Sequence, residues 1–114
     1  MPLTPEVCEL LIPTKDSVEW WTTTDKQGMN ALHGMLFAKR EVGDQLVRDT
    51  KVVMAVMKNE STRGGREQCK KIVKAVLTQH SKWGKATAFL QGVTDANSKR
   101  IVKDILEKAL RDAS

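Results

Sequence analysis

The chain has 114 residues, 40% hydrophobic and 29% charged, a composition that fits one globular domain (1–114) and excludes both a second core and a disordered chain. Its formal net charge is +5, and no apolar run approaches the roughly 18 residues that a membrane-spanning helix needs. The N-terminus lacks the basic-then-apolar layout of a secretory signal, so the expected setting is intracellular, cytoplasmic or nuclear, with no membrane partner.

In chain order, "TPEVCELLIP" predicts a short helix from Pro5 to about Leu11: Thr4 can cap it, Pro5 suits the first helical position, and Pro13 stops it. A second start lies at Asp16 or Ser17. Thr24 with Gln27 has capping-box form and predicts the start of a long middle segment. From Asp25 to about Lys58 the residues Met29, Leu32, Leu36, Val42, Leu46, Val53 and Met57 keep helical spacing, with a kink or break expected near Gly43. "VVMAVM" at 52–57 reads as a strand in isolation, but the chain offers no second strand to pair with it.

The clearest pattern follows "STRGG". Cys69, Ile72, Val73, Val76, Leu77, His80 and Trp83 form one apolar stripe, so an amphipathic helix is predicted, with Gly84 as an interruption. Ala86, Phe89 and Leu90 continue apolar up to a stop at Gly92. A last helix, starting at Thr94 or Asp95, buries Ile101, Val102, Ile105, Leu106, Ala109 and Leu110. The expected fold class is all-α: a single-domain bundle of four or five helices with a long or kinked middle helix.

Catalytic constellations are missing. "GKAT" at 84–87 lacks the first glycine of a phosphate loop, since Gln79 stands in its place, and no strand precedes it. Cys8 and Cys69 have neither disulfide nor zinc spacing and read as reduced, partly buried thiols. Cys69 and His80 share a helix face but stand about 16 Å apart along the axis, too far to hold one metal by themselves. His33, between Leu32 and Leu36, reads as a half-buried histidine with a satisfied nitrogen, and nothing recommends a Cys8–His33 nucleophile pair. No enzyme, no metal and no cofactor is the expectation.

Charge is uneven. Residues 1–24 sum to −3, residues 25–60 to +1, residues 61–85 to +6 and residues 86–114 to +1. In the third segment Arg63, Arg66, Lys70, Lys71, Lys74, Lys82 and Lys85 face a single acid, Glu67. Arg66, Lys70 and Lys74 recur every four residues, away from the apolar stripe, and the other four extend the same polar side. A solvated helix face is the plain alternative, yet that needs only polar residues and not one sign of charge. Arg63 and Arg66 sit at the positive end of the helix dipole, where a bound anion would relieve them, and Gly64 and Gly65 would let backbone amides approach it.

With no tyrosine and only two phenylalanines, the chain is poorly supplied for stacking single-stranded bases, so duplex RNA or DNA backbone is the expected partner. The rival reading is a protein-interaction module, a homodimer or a basic face meeting an acidic protein. There Trp20 and Trp21, about 100° apart on a helix, leave one ring for a partner, with Met29, Met35, Met54 and Met57 forming a seam.

Overall fold

The computed structural model describes residues 4–11, 17–26, 28–37, 43–61, 65–83 and 96–113, and all regular structure among them is helical. Helix α1, Pro5–Leu11, starts as the sequence predicts: Thr4 Oγ1 accepts the Val7 amide at 3.2 Å, and Pro5 takes the first helical position, where its missing N–H leaves nothing unsatisfied. Helix α2, Ser17–Thr22, ends where threonine hydroxyls turn back on it. Thr22 Oγ1 donates to the Val18 carbonyl at 2.8 Å and Thr23 Oγ1 to that of Glu19 at 2.7 Å.

The helix expected from Thr24 does not form. Asp25 instead closes a tight turn: its N–H donates to the Met29 carbonyl at 3.0 Å, and its Oδ1 accepts the Met29 amide at 2.9 Å. Gly28 makes the turn possible with a φ of 79°, which L side chains rarely adopt. Asn30 then caps helix α3, Ala31–Phe37, its Oδ1 accepting the His33 amide at 3.0 Å.

Helix α4, Gly43–Ser61, begins at the glycine where the sequence predicts a break, and Gly43 has a φ of 62°. Residues 52–57 lie inside this helix, so their local strand character yields to the longer helical period. Helix α5 is Gly65–Trp83 and helix α6 Ala96–Ala113. The expected features at Ala86, Phe89, Leu90, Gly92, Thr94 and Asp95 lie outside the described residues.

Helix α5 packs against α2, α4 and α6; α4 also packs against α1 and α6, and α3 against α2 and α4. Its predicted stripe is the face that packs: Ile72, Val73, Val76 and His80 are buried, and Cys69 and Leu77 half-buried. Each buried aliphatic side chain of this kind contributes about 1.5–3 kcal/mol, so the stripe fixes the rotation of α5 and therefore which of its residues face water. On α6 Val102 and Leu106 are buried, with Ile101, Ile105, Ala109 and Leu110 flanking them. The Cα radius of gyration is 13.1 Å, close to the ~13 Å of a compact globule of this length. Among the described residues no helix is long and apolar enough to cross a membrane.

Both cysteines are thiols; Cys69 is half-buried as the sequence predicts, whereas Cys8 is fully buried in the core. Two polar atoms lie in the core without a hydrogen-bond partner among the described residues, Trp21 Nε1 and Asp49 Oδ2.

Candidate nucleic-acid interface

The face of α5 opposite its apolar stripe is a narrow exposed row. Glu67, Lys71, Lys74, Thr78, Ser81 and Lys82 are all exposed, at steps of three and four that keep them in line. Lys70, which the sequence places in the middle of the basic edge, is half-buried at the margin of this row. The rotation of the helix is set by Ile72, Val73 and Val76, and that rotation carries Lys71 outward in place of Lys70. Arg63, Lys85 and the side chain of Arg66 lie outside the described residues, as does the side chain of Trp83.

Charge pairing distinguishes this row from the neighbouring face of α6, although Lys51 and Lys58 on α4 are likewise exposed without an ion pair among the described residues. On α6 three of the five cations are matched in line: Arg100 with Asp104 at 3.6 Å, Lys103 with Glu107 at 3.7 Å and Lys108 with Asp112 at 4.0 Å. On α5 none of Lys70, Lys71, Lys74 and Lys82 forms an ion pair among the described residues, although Glu67 stands within one turn of Lys70 and Lys71. The hydroxyls between them are committed to their own helix: Thr78 Oγ1 donates to the Lys74 carbonyl and Ser81 Oγ to that of Leu77, each at 3.0 Å. The donors left for an anion are the ammonium groups. From Lys71 to Lys82 they span about 16 Å at 1.5 Å rise per residue.

One cation that the sequence reading passes over joins this end of α5. Lys99, on α6, donates from Nζ to the Ser81 carbonyl at 3.2 Å, next in the chain to Lys82. An ammonium has three donors, so two remain for other partners. Only the packing of α6 on α5 brings residues 81 and 99 together, and no local pattern signals it.

The tryptophans divide as adjacent residues on a helix must. Trp21 is 0% exposed and offers a partner no surface in this state, whereas Trp20 is half-buried, edge-on to it at 4.9 Å between ring centroids. Of the methionines, Met35 and Met57 are in the core and Met29 and Met54 are half-buried against it.

A buried polar network holds α5 in place. Asn30 Nδ2 donates to Gln79 Oε1 at 2.9 Å, and Gln79 Nε2 donates to the Thr22 carbonyl at the end of α2. The next residue, His80, meets His33: His33 Nε2 and His80 Nδ1 are 2.9 Å apart, and His80 Nε2 lies 2.8 Å from the Lys99 carbonyl. That carbonyl can only accept, so His80 Nε2 carries its hydrogen, His80 Nδ1 accepts, and His33 Nε2 donates. His33 Nδ1 is then an acceptor, facing the Asn30 backbone N–H at 3.4 Å. His33 is fully buried, not half-buried as its sequence neighbours imply.

Both imidazoles are held neutral. Burial first, then the charges of His80 and Lys99, lowers His33 from 6.5 to about 3. Burial also lowers His80; the hydrogen bond to the Lys99 carbonyl opposes this, and the Lys99 and Lys103 ammoniums reinforce it. With 0% exposure neither ring reaches a substrate in this state. A metal between them fits poorly, because ligation through His33 Nε2 would place a hydrogen on Nδ1, against the Asn30 N–H. Among the described residues no three His, Cys, Asp or Glu side chains group as a metal site.

Comparison with family models, with curated proteins and with solved structures finds no match for this chain.

Proposed function

We propose that this chain is a non-catalytic helical domain that binds the backbone of duplex RNA or DNA, with little sequence preference, through the exposed lysines of α5. The observation that carries the reading is the contrast between two neighbouring helices. Arg100, Lys103 and Lys108 of α6 are each matched by an acid one turn away, as on an ordinary solvated face, whereas Lys71, Lys74 and Lys82 stand in one exposed row with no ion pair among the described residues. Lys70 flanks the row, and Arg63, Arg66 and Lys85 belong to the proposal by sequence. A row about 16 Å long matches roughly five phosphates of one strand at 3.4 Å of axial rise each. We take the helices as one bundle spanning the chain, its middle segment broken at Gly43, with the network around Gln79 and His80 presenting α5 outward.

The experiment is titration of labelled duplex DNA, duplex RNA and single strands, followed by fluorescence anisotropy, with wild type and a Lys71→Ala, Lys74→Ala, Lys82→Ala variant. Tight binding to one duplex, weakened by the substitutions in a protein that remains folded, supports the reading. Equal binding by both proteins removes α5 from it. The exposure of Leu10 and Leu11 on α1, at 87% and 53%, favours the second reading, docking of a partner protein or a second copy of the chain. Light scattering of wild type and of Leu10→Ser tests that reading through the mass in solution.

A further inference from the structure

The hydrogen bonds through His33 and His80 run in one direction, and each of the four ring nitrogens is engaged. From the Asn30 amide to His33 Nδ1, from His33 Nε2 to His80 Nδ1, and from His80 Nε2 to the Lys99 carbonyl, each step has one donor and one acceptor. The chain crosses three elements: the turn that starts α3, the C-terminal part of α5 and the first turns of α6. An added proton has two places to go, and each is already faced by a donor. At His80 Nδ1 it would set N–H against N–H across 2.9 Å; at His33 Nδ1 it would face the Asn30 amide.

We propose that the His33–His80 pair is an acid-released latch: closed at neutral pH, it ties the Asn30 turn and α3 to α5 and α6, and it opens when either imidazole takes up a proton. The surroundings work in the same direction. From α6 the pair is faced by Lys99 and Lys103, both cations, and from α3 and α5 each ring faces the other. The end of α2 meets the network through the Thr22 carbonyl, which does not titrate. Asp49 is a buried acid of α4, and its hydrogen bond is to Gln45 on the same helix.

The sign of the effect follows from these groups. Both imidazoles are lowered from 6.5 in the folded chain, so below about pH 6.5 the unfolded chain binds more protons than the folded one. The latch contributes fully above that pH, and its contribution is lost as pH falls from there toward the folded values. For one imidazole held neutral while folded, the folding constant at pH 5.0 falls by about 30-fold, and for two by about 1000-fold.

The test is urea unfolding of wild type and His33→Gln at pH 7.0 and pH 5.0. Glutamine keeps an N–H for His80 Nδ1 but takes up no proton in this range, so the variant isolates titration from packing. The expected result is a wild-type loss of between about 25-fold and 600-fold from pH 7.0 to 5.0, and a loss smaller by about 25-fold in His33→Gln. Equal losses in the two proteins would overturn the latch. Should His33→Gln fail to fold, nitrogen-15 NMR of the wild-type rings decides. Two neutral Nε2–H tautomers at pH 7.0, with no ring protonating near pH 6 in the folded chain, uphold it. An Nδ1–H tautomer, or a ring that protonates near pH 6 while the fold persists, overturns it.

Discussion

Asn30 holds two separate structural jobs, and two substitutions separate them. Its Oδ1 caps α3 by accepting the His33 amide at 3.0 Å, and its Nδ2 donates across the core to Gln79 Oε1 at 2.9 Å. Gln79 cannot flip to compensate for a lost donor, because its own amide nitrogen is engaged by the Thr22 carbonyl, which only accepts. Asn30→Ala removes both contacts. The cap is worth about 1 kcal/mol and the cross-helix bond, with a part-buried Gln79 oxygen left unpaired, about 1–2 kcal/mol, so the expected loss is about 2–3 kcal/mol. Asn30→Ser keeps a capping oxygen but is too short to reach Gln79, so its expected loss is about 1–2 kcal/mol. Urea unfolding at pH 7.0, followed by circular dichroism, measures both. A loss under about 0.5 kcal/mol for Asn30→Ala, or equal losses for the two variants, would refute this division.

Two further substitutions probe the core. Leu106→Ala, at a site with 0% exposure on the face of α6 that packs on α4 and α5, should cost about 2–5 kcal/mol in the same assay, and a loss below 1 kcal/mol would mean that α6 is not docked there. Asp49 is 1% exposed with Oδ1 accepting from Gln45 and Oδ2 without a partner among the described residues, so Asp49→Asn should stabilise the fold by about 1 kcal/mol; destabilisation would show that the carboxylate has a partner that neutral asparagine cannot replace.

How far the sequence could be read depended on whether the deciding contacts are local. Thr4 and Pro5 punctuate the start of α1, and that start follows from them; Pro13, its expected stop, lies outside the described residues. The stripe from Cys69 to His80 repeats over three turns, long enough for its period to outweigh any local preference. The stretch from Thr22 to Asn30 is different: Thr24 has capping-box spacing, yet the cap is Asn30, whose side chain also reaches Gln79, forty-nine residues away. A separation of forty-seven residues likewise hides the His33–His80 pair, whose only local trace is a histidine placed in each of two apolar stripes. Lys70 and Lys71 differ in exposure because α2, α4 and α6 together fix the rotation of α5, and a spacing of four residues from Arg66 carries no information about that rotation. Lys99 reaches Ser81 through helix packing alone.

The central claim is that the α5 lysines meet phosphates, and the salt dependence of duplex binding tests it most directly, since released counterions count the contacts. With Lys70, Lys71, Lys74 and Lys82 each meeting one phosphate, the logarithm of affinity should fall against that of salt with a slope near −3.6, a loss of roughly 150-fold between 50 and 200 mM. Removing Lys71, Lys74 and Lys82 should bring the slope to about −0.9. A wild-type slope near zero, or a slope that the triple substitution leaves unchanged, would contradict the account.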